Sequence, residues 1–307
     1  WRMIMQINRF NNEAREALAS GQFDSLTLEE YVKSKRYGED FFRLYIIPMS
    51  SSIWSTPAEL MLKFPATTLL RFFDNHGFLG MSTQHQWLTP DGGSREYVRR
   101  LIATFKDRII TGKRIQKVHR MGRQAAIYTV NGNSATYDKV ILASHADQSL
   151  GLLDAPDPDE QRELGKFKYQ KNIGTLHTDS SSMPREKLCW ASWNYRIKED
   201  AQGKLTPRTI YWMNKLQNVS QEINYFVSIN GEDEVKPDRI IKQVEFEHPL
   251  FDCAAVQSQP KLHALNQRSP EQTVYFCGSY FKYGFHEDAL NSAIDLCSTI
   301  LRRPLWN

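Results

Sequence analysis

The stretch that most constrains the fold is YFCGSYFKYGFHEDALNSAIDL, residues 275–296. A short apolar run, 274–277, stops at Gly278, and a helical pattern begins near Glu287 after a loop that contains Gly284. The order predicts a strand, a loop and a helix. A helix N-terminus reached in this way presents unpaired N–H groups and a positive dipole end, which suits an anionic or electron-rich ligand. The same pattern is typical of an ordinary α/β crossover whose glycines only turn the chain.

The length and composition predict a globular protein with a large core. The chain has 307 residues, enough for one large or two interleaved domains. Its hydrophobic share is 41% and its aromatic share 12%, which excludes a disordered chain. Seven Trp and thirteen Tyr indicate either a well-filled core or an aromatic-lined cavity.

The net charge of +4 conceals a local excess of basic residues. Between positions 95 and 123 only Glu96 and Asp107 oppose ten basic side chains: Arg95, Arg99, Arg100, Lys106, Arg108, Lys113, Arg114, Lys117, Arg120 and Arg123. This segment is either a solvated helix and strand edge or a face for an anionic membrane or a phosphate-bearing ligand. It carries no aromatic-interleaved motif, so nucleic-acid binding is not expected.

The cysteine and histidine positions indicate no metal site and no disulfide framework. The four cysteines, at 189, 253, 277 and 297, are spaced neither like metal ligands nor like a disulfide framework. This spacing favours reduced thiols and a cytoplasmic location. A peripheral position at the inner face of the membrane is compatible with the basic segment. The eight histidines form no H-x-x-x-H pair, and no apolar run approaches the roughly eighteen residues that span a bilayer.

The first 80 residues are predicted to be mostly helical. A helical pattern runs to about residue 19 and ends at Gly21, and Thr27 with Glu30 forms a capping-box pair before the next helix. A second box is predicted with Thr56 as the cap, and an apolar segment before it is expected to stop at Pro48.

The character of the sequence changes after residue 87. A helix over 97–105 is followed by three predicted strands, 115–119, 125–130 and 137–143, with an Asn131-Gly132 hairpin of type I′ between the last two. Further strand patterns predict one large, mostly antiparallel sheet, and they lie at 172–177, 188–195, 209–213, 224–229 and 240–246.

Three separated pieces, taken in order, resemble the flavin-dependent amine-oxidase-like oxidoreductases. They are Gly92-Gly93 before a helix, the meander that ends in VILASHADQ, and VYFCGSYFKYGFHEDAL near the end of the sequence. The phrases IWSTP, RFFDNHG, QWLTPDGGSREYVRRL, CWASWNY and YWMN look like a branch of predicted NAD/FAD-binding proteins. The resemblance covers nearly the whole chain and implies a glutathione-reductase-type FAD domain with FAD as the cofactor.

One part of the family pattern is missing. Such proteins begin with a strand, a G-x-G-x-x-G turn and a helix that bind the FAD pyrophosphate, and this sequence contains no G-x-G-x-x-G. The simplest explanation is that roughly a hundred N-terminal residues, a βαβ unit plus a further segment, precede Trp1 in the natural protein. The alternative is a naturally shortened protein that has lost flavin binding.

The resemblance also implies cofactor-binding residues. Gly278 would let the chain approach the phosphates or the ribityl chain, with Ser279 where many relatives have an acidic residue, and Val118 would set its backbone against the adenine. The start of the last helix would bring N–H groups to the isoalloxazine ring, and Ala289 replaces a common Gly there. The full set is Gly92, Gly93, Val118, His145, Gly278, Ser279, Gly284, Phe285, His286, Glu287 and Asp288.

A second group of residues in the family-like phrases is expected to line an apolar substrate pocket, although each Trp could equally pack in the core. The group is Trp54, Asn75, His76, Trp87, Trp193, Asn194, Trp212 and Asn214. His76 precedes Gly77 and is more typical of a helix end than of a catalytic base. The sequence identifies no catalytic residue.

These observations lead to one fold and two functions. The fold is expected to be mixed α/β, with a truncated FAD/NAD(P)-binding domain (81–150 and 261–307) interleaved with a substrate domain of helices (1–80) and a mostly antiparallel sheet (151–260). The function is expected to be FAD-dependent hydride transfer with a small-molecule or lipid substrate, such as a fatty acyl chain of a phospholipid, and with peripheral contact to an anionic membrane. The alternative is a non-catalytic lipid-binding or scaffold protein on a decayed flavin fold.

Overall fold

The computed structural model describes residues 1–80, 82–199 and 205–305. One π-helical segment, Phe42–Ile46, joins α3 to α4. The α-helices, in chain order, are α1 Arg2–Ser20, α2 Leu28–Ser34, α3 Glu39–Phe41, α4 Ile47–Trp54, α5 Ala58–Met61, α6 Ala66–Asn75, α7 Ser94–Ile102, α8 Ala146–Leu152, α9 Pro158–Leu164, α10 Met213–Gln217, α11 Cys253–Leu265 and α12 His286–Leu301.

Within the described residues, ten strands form three sheets. The strands are β1 Ile115–Met121, β2 Gln124–Thr129, β3 Ser134–Tyr137, β4 Val140–Leu142, β5 Lys168–His177, β6 Trp193–Glu199, β7 Leu205–Trp212, β8 Phe226–Ile229, β9 Ile240–Leu250 and β10 Val274–Phe276. The sheet orders are β1-β2-β3, β10-β4 and β6-β7-β8-β5-β9. The prediction of a mixed helix and sheet fold is confirmed.

The chain forms two compact units, each built from two separate segments. Unit 1 comprises residues 1–107 and 170–248, and unit 2 comprises 108–169 and 249–307. The units divide the chain at 107, 169 and 248, whereas the sequence prediction divided it at 80, 150 and 260. The division by function into a cofactor domain and a substrate domain stays a prediction.

Unit 1 combines the helices α1–α7 and α10 with the five-stranded sheet. The amphipathic helix α1 packs on α6, and Phe10 at its centre meets Tyr37, Phe41 and Phe73 at ring-centroid distances of 5.8, 5.5 and 6.1 Å. The pairs β6–β7, β7–β8 and β5–β8 are antiparallel, as the alternating pattern predicts. An aromatic core therefore holds the helical layer of unit 1.

Unit 2 contains the three-stranded meander, the parallel pair β4–β10 and four helices. Its interior is built by apolar side chains from the meander, both parallel strands and the helices: Val118, Ala126, Val140, Leu142, Leu164, Phe167, Phe276 and Tyr280. Helix α11 is tied to α9 by the buried Ser258 hydroxyl, which donates to Glu163 Oε2 at 2.5 Å.

Local sequence signals predicted helix ends correctly where one residue or one pair of residues determines the backbone conformation. Gly21 ends α1 at a φ of 65°, and Thr27 with Glu30 forms the complete predicted capping box of α2. The predicted hairpin joins β2 and β3, but only Gly132 has a positive φ. The turn is therefore not the type I′ turn expected, which needs positive φ at both central residues.

Three local predictions were wrong. Pro48 does not stop the apolar segment, because the chain runs from the π-helical segment Phe42–Ile46 directly into α4, with Pro48 in the first turn of α4. Thr56 does not cap α5, because its hydroxyl donates to Trp54 O at 3.2 Å and Pro57 is the residue before the helix. The predicted strand 137–143 is two strands, β3 and β4, that belong to different sheets.

Candidate functional site

The site in unit 2 begins at the carboxyl edge of the parallel strands β4 and β10. Leu142 pairs with Phe276 in parallel register, and the N–H of Cys277 donates to Leu142 O at 3.1 Å. Because the strands are parallel, the segments after them, which carry His145 and Gly278, leave at one edge. The carboxyl edge of parallel strands is where α/β folds bind their ligands.

The turn after β10 depends on Gly278. Its φ of 156° and ψ of 170° fall in a region that only glycine adopts readily. A Cβ here would lie 2.7 Å from the Tyr280 ring and 3.7 Å from Ser144 O. The Gly278 N–H donates to Ser292 Oγ of α12 at 2.9 Å, which holds the turn against that helix. Glycine at this position therefore lets the Tyr280 ring pack directly against the backbone of the turn.

Helix α12 begins directly beyond this turn. Its sixteen residues come after Phe285, whose N–H donates to Asp288 Oδ2 at 3.0 Å in a capping contact. Burial raises the pKa of the Asp288 carboxyl, against the opposing effect of hydrogen bonds from the Phe285 and Tyr283 backbones. His286 and Glu287 are exposed at the first turn. The N-terminus of a helix of this length favours negative charge on a ligand.

Gly284 and Ser279 fix the loop between the strand and the helix. The Gly284 N–H donates to Ser279 O at 3.1 Å, and its φ is 94°. A Cβ at Gly284 would lie 3.0 Å from the Phe251 ring. The predicted series of cofactor residues from Gly278 to Asp288 therefore forms one continuous structure, although its contacts with a cofactor remain a prediction.

His145 and Val118 also lie in unit 2, where each is held by a contact with a neighbouring segment. The His145 imidazole lies parallel to the Tyr169 ring, with centroids 4.2 Å apart, and the Ala146 N–H donates to Tyr169 Oη at 2.9 Å. Val118 is buried, and its carbonyl accepts from the Asp154 N–H at 3.0 Å. The role of Val118 against an adenine stays a prediction.

Gly92 and Gly93 lie in unit 1, outside the unit that holds the other predicted cofactor residues. Their φ values are 80° and 81°, and Gly93 is the residue before α7. The pair therefore makes the sharp entry into that helix. Its part in cofactor binding stays a prediction.

The predicted substrate residues all lie in unit 1, and four of them form one aromatic row. Trp54 meets Phe72 at 5.0 Å, Phe72 stacks on His76 at 3.9 Å, and His76 stacks on Trp87 at 5.8 Å. Trp87 in turn meets Trp193 at 6.1 Å. Trp54 is buried, whereas Trp87 is 55% exposed, so the row runs from the core of the unit to its surface.

His76 has the helix-end role that its position predicted. It is the C-cap of α6, and its Nδ1 lies 2.8 Å from Phe72 O, the carbonyl one turn earlier. Since Nδ1 faces a carbonyl oxygen, that nitrogen carries the proton. Asn75, the neighbouring candidate, is exposed at the end of the same helix.

Asn194 and Asn214 support the backbone of unit 1. Asn194 donates to Ala191 O at 2.6 Å and accepts from the Ala191 N–H at 3.0 Å. Asn214 donates to Ser220 O and Ile223 O, both at 2.7 Å. These amides fix turns at the ends of strands, and a substrate role for them stays a prediction.

Trp212 belongs to a separate cluster at the end of β7. Its ring meets Trp190 edge-on at 5.2 Å and its indole N–H donates to Asn224 Oδ1 at 3.0 Å. Trp190 also meets the buried Phe226 at 5.7 Å. The structure therefore divides the predicted tryptophans into an aromatic row and this second cluster.

Two adjoining cavities in unit 1 were missed by the sequence analysis. They measure about 170 Å³ and about 200 Å³ and share the walls formed by Ala58, Glu59, Tyr195 and Pro207. The larger is otherwise lined by Phe42, Arg43, Ile47, Leu62 and Ile197. The smaller is otherwise lined by Ser51, Ser55, Thr56, Pro57, Arg208, Thr209, Ile229 and Asn230.

The wall that the cavities share is apolar apart from Glu59 and the hydroxyl of Tyr195. Burial raises the pKa of Tyr195 to about 12, so this phenol stays neutral at physiological pH. Arg208 faces the smaller cavity, and its guanidinium lies 3.4 Å from Asp233 and 3.9 Å from Glu234. The one sequence signal for this site is a charged residue, Arg208, in the middle of a strand.

The carboxyl edge in unit 2 fits the ring end of a flavin. A turn at the carboxyl edge of parallel strands, with an exposed helix N-terminus beyond it, suits the negative charge of a reduced ring. The sequence has no G-x-G-x-x-G for the pyrophosphate, so the fit covers one part of the dinucleotide. Fold and edge together define an FAD-type oxidoreductase scaffold.

Comparison with known families identifies the class more closely. Residues 5–182, more than half of the chain, match the family of flavin-containing amine oxidoreductases, and the chain belongs to this family. FAD is the cofactor of the family. No curated protein matches the sequence significantly.

Solved structures show the same fold. Wild-type putrescine oxidase bound to putrescine is 10% identical with a TM-score of 0.67, over 98% of this chain and 76% of that one. Cyclohexylamine oxidase from Brevibacterium oxydans IH-35A is 10% identical with a TM-score of 0.59, over 98% and 74%. The CLA-producing fatty acid isomerase from P. acnes is 12% identical with a TM-score of 0.60, over 97% and 74%.

Proposed function

We propose that this protein is an FAD-dependent oxidoreductase whose substrate is the fatty acyl chain of a lipid. The observation that carries the choice of substrate is the mainly apolar cavity of unit 1, which is lined by Phe42, Ile47 and Leu62 from the helical part and by Ile197 and Pro207 from the sheet. An unbranched hydrocarbon would bind favourably between such apolar walls, because each methylene removed from water contributes about 0.8 kcal/mol to the binding free energy.

The adjoining cavity supplies the polar half of such a site. Arg208 borders it, while Ser51, Thr56 and Asn230 offer hydrogen-bonding groups. A chain whose tail fills the apolar cavity would bring a polar or anionic end toward Arg208. The combined volume lies near the lower end of the range for small-molecule sites, which suits a narrow chain.

The aromatic row is compatible with the same substrate. Trp87, at its exposed end, meets Trp193 of β6, and Tyr195 of the same strand lines both cavities. Aromatic rings pack well against hydrocarbon and lose little side-chain entropy when they do so. Among the structural neighbours, the fatty acid isomerase acts on a fatty acid, whereas putrescine oxidase binds an amine.

In unit 2 the turn at Gly278 and the start of α12 would hold the flavin. When bound, FAD supplies the hydride acceptor or donor. The residues from Phe285 to Asp288 would orient the ring and stabilise negative charge on it through the helix N-terminus. Gly278 lets the Tyr280 ring pack directly against the turn, which would support the loop that leads into α12.

The two cavities of unit 1 also suit a second function, in which the protein binds lipid on the same fold as a non-catalytic carrier or scaffold. The cavities of unit 1 would then serve binding alone.

Flavin titration and then anaerobic reduction distinguish these functions. The purified protein is mixed with FAD, and the quenching of flavin fluorescence gives the affinity. Long-chain acyl lipid, putrescine or buffer is then added without oxygen, and the visible flavin absorbance is monitored. We expect bleaching with acyl lipid alone. Bleaching only with putrescine would overturn the acyl substrate, and lipid binding without FAD retention would establish the carrier function instead.

A further inference from the structure

The guanidinium of Arg208 lies in the wall of the smaller cavity of unit 1 and is poorly paired. Its side chain is only 18% exposed. Its terminal nitrogens donate to Pro207 O and Asp233 Oδ1, both at the long distance of 3.4 Å. Unit 1 itself buries the Nε, which has no hydrogen-bond partner within the described residues. Because a guanidinium has five N–H groups and buried polar groups are normally paired, Arg208 has N–H groups left for an acceptor in the cavity.

The carboxylates near Arg208 do not neutralise its charge fully. Asp233 is exposed, so water and salt screen its interaction with the guanidinium. Glu234 lies 3.9 Å from the Arg208 Nε, but it lies closer to Arg196, at 3.2 Å, and also meets Lys198 at 3.9 Å. One buried carboxylate is thus shared among three cations, and part of the Arg208 charge remains for a ligand.

Two hydroxyl groups line the same cavity, those of Ser51 and Tyr195. Ser51 is only 5% exposed, and its Oγ makes no hydrogen bond of normal geometry within the described residues. Burial raises the pKa of Tyr195 to about 12, so its phenol keeps the proton. The Asn230 amide, by contrast, is in use, because it donates to Asn172 Oδ1 at 2.6 Å and accepts from the Ile173 N–H at 2.8 Å. Both hydroxyls can therefore donate to an acceptor in the cavity.

We propose that the smaller cavity binds a carboxylate, and that the ligand of the two cavities is an unesterified fatty acid. This assignment rests on the proposed function, because the acyl chain of that function fills the larger cavity. The planar fork of Arg208 matches the two oxygens of a carboxylate, with Ser51 and Tyr195 as further donors. An ester carries no charge and would leave the buried guanidinium without an anionic partner.

The size of the cavities also favours a free acid. They measure about 170 Å³ and 200 Å³, which suits one chain with a small polar end. A phospholipid would add a second acyl chain and a headgroup, whereas an acid adds only its carboxyl group. Among the described helices, none is both long and apolar enough to cross a bilayer. The choice between a free and an esterified lipid rests on the cavities.

The charges in the cavity walls fix the orientation of the acid. Apart from Arg208, the one basic residue among the lining residues is Arg43 in the larger cavity. Arg43 is 45% exposed and lies 3.5 Å from Glu39, so its attraction for an anion is screened. Glu59 is the one acidic lining residue and is exposed, so its repulsion is screened as well. The carboxylate is therefore expected at Arg208, with the tail in the larger cavity.

Calorimetric titration with three ligands of equal chain length tests the proposal. The ligands are a medium-chain fatty acid, its methyl ester and the corresponding lysophospholipid. We expect the acid to bind at least about tenfold more tightly than the ester, because it gains charged hydrogen bonds. Arg208→Gln should weaken binding of the acid by roughly tenfold to a hundredfold and leave the ester nearly unchanged. Arg208→Lys keeps the charge without the fork and should retain part of the preference.

Arg185→Gln is the matched control, because Arg185 is exposed and lies outside both cavity walls. It should bind all three ligands like the unchanged protein, and circular dichroism checks the fold of each variant. Equal affinity for acid and ester, or equal affinity of Arg208→Gln and Arg185→Gln for the acid, would overturn the carboxylate site while the acyl cavity stands.

Two further outcomes would also overturn the carboxylate site. Loss of acid binding in Arg43→Gln but not in Arg208→Gln would place the carboxylate in the larger cavity. Tightest binding of the lysophospholipid, lost in Arg208→Gln, would assign the smaller cavity to a phosphate. Failure of the acid, the ester and the lysophospholipid alike to bind would instead remove the acyl substrate of the proposed function, and the carboxylate site with it.

Discussion

Leu142 at the end of β4 lies opposite Phe276 at the end of β10, in parallel register. The Cys277 N–H continues the pairing by donating to Leu142 O. The two strands are distant in the sequence, and their pairing places the segments of His145 and Gly278 at one edge. This pair is the structural basis of the candidate flavin site in unit 2.

Substitution of Gly278 by alanine should destabilise the protein by about 2–4 kcal/mol. About 1–2 kcal/mol arises from a backbone conformation that a side chain disfavours, and the remainder from overlap of the new Cβ with the buried Tyr280 ring. Urea unfolding measures the change in free energy. Gly122→Ala is the control, because Gly122 has a φ of 63° but nothing within 4 Å of the added Cβ. Equal losses in both variants would show that the Tyr280 contact has no effect.

Stability should fall at acid pH because of His177. This histidine is fully buried; the Asp179 N–H donates to its Nδ1, and its Nε2–H donates to Ser228 Oγ at 2.8 Å. Burial lowers its pKa, with Asp179 opposing. The unfolded chain, with an ordinary pKa near 6.5, therefore binds the proton first. The free energy of unfolding should be constant above about pH 7 and should decline below about pH 6.5.

Chemical denaturation across pH 4–8 gives this profile. Between the unfolded and folded pKa values the slope due to His177 approaches about 1.4 kcal/mol per pH unit. His177→Gln should lose this contribution, whereas His85→Gln, at an exposed position, should keep it. Parallel profiles for the protein and for His177→Gln would contradict the assignment.

Asn214→Ala should destabilise unit 1 by about 1–3 kcal/mol. The amide donates to Ser220 O and Ile223 O and accepts from the Tyr225 N–H at 2.8 Å, so its loss leaves three backbone groups without this partner. Thermal or urea unfolding measures the effect, and Asn75→Ala at an exposed helix end should change stability little. A stable Asn214→Ala protein with reduced ligand binding would instead support the substrate role predicted from the sequence.

Leu62→Trp should weaken the binding of a long acyl chain by at least about tenfold, because the larger ring fills the apolar cavity that Leu62 lines. Calorimetric titration with a long-chain fatty acid measures the affinity. Leu60→Trp, two residues earlier and outside the cavity wall, is the matched control. Unchanged affinity in Leu62→Trp would place the acyl chain elsewhere or exclude it.

The sequence by itself determined the local features of the fold, such as helix caps, turns and helix ends. The capping pair Thr27–Glu30, the strand, glycine and helix around Gly278, and the helix end at His76 were all read from neighbours within a few residues. Such features arise from backbone sterics and from hydrogen bonds within one turn, which the local sequence specifies. The family resemblance rested on the same local phrases and is confirmed by the family match.

Only the tertiary structure decided how these pieces combine. The split of residues 137–143 into β3 and β4, the parallel pairing of β4 with β10, and the two cavities behind Tyr195 depend on contacts between distant segments. The same holds for Asn214, whose amide donates to two carbonyls of a turn. The residue type determines which hydrogen bonds a side chain can make. The packing of the fold determines which partners are close enough to make them.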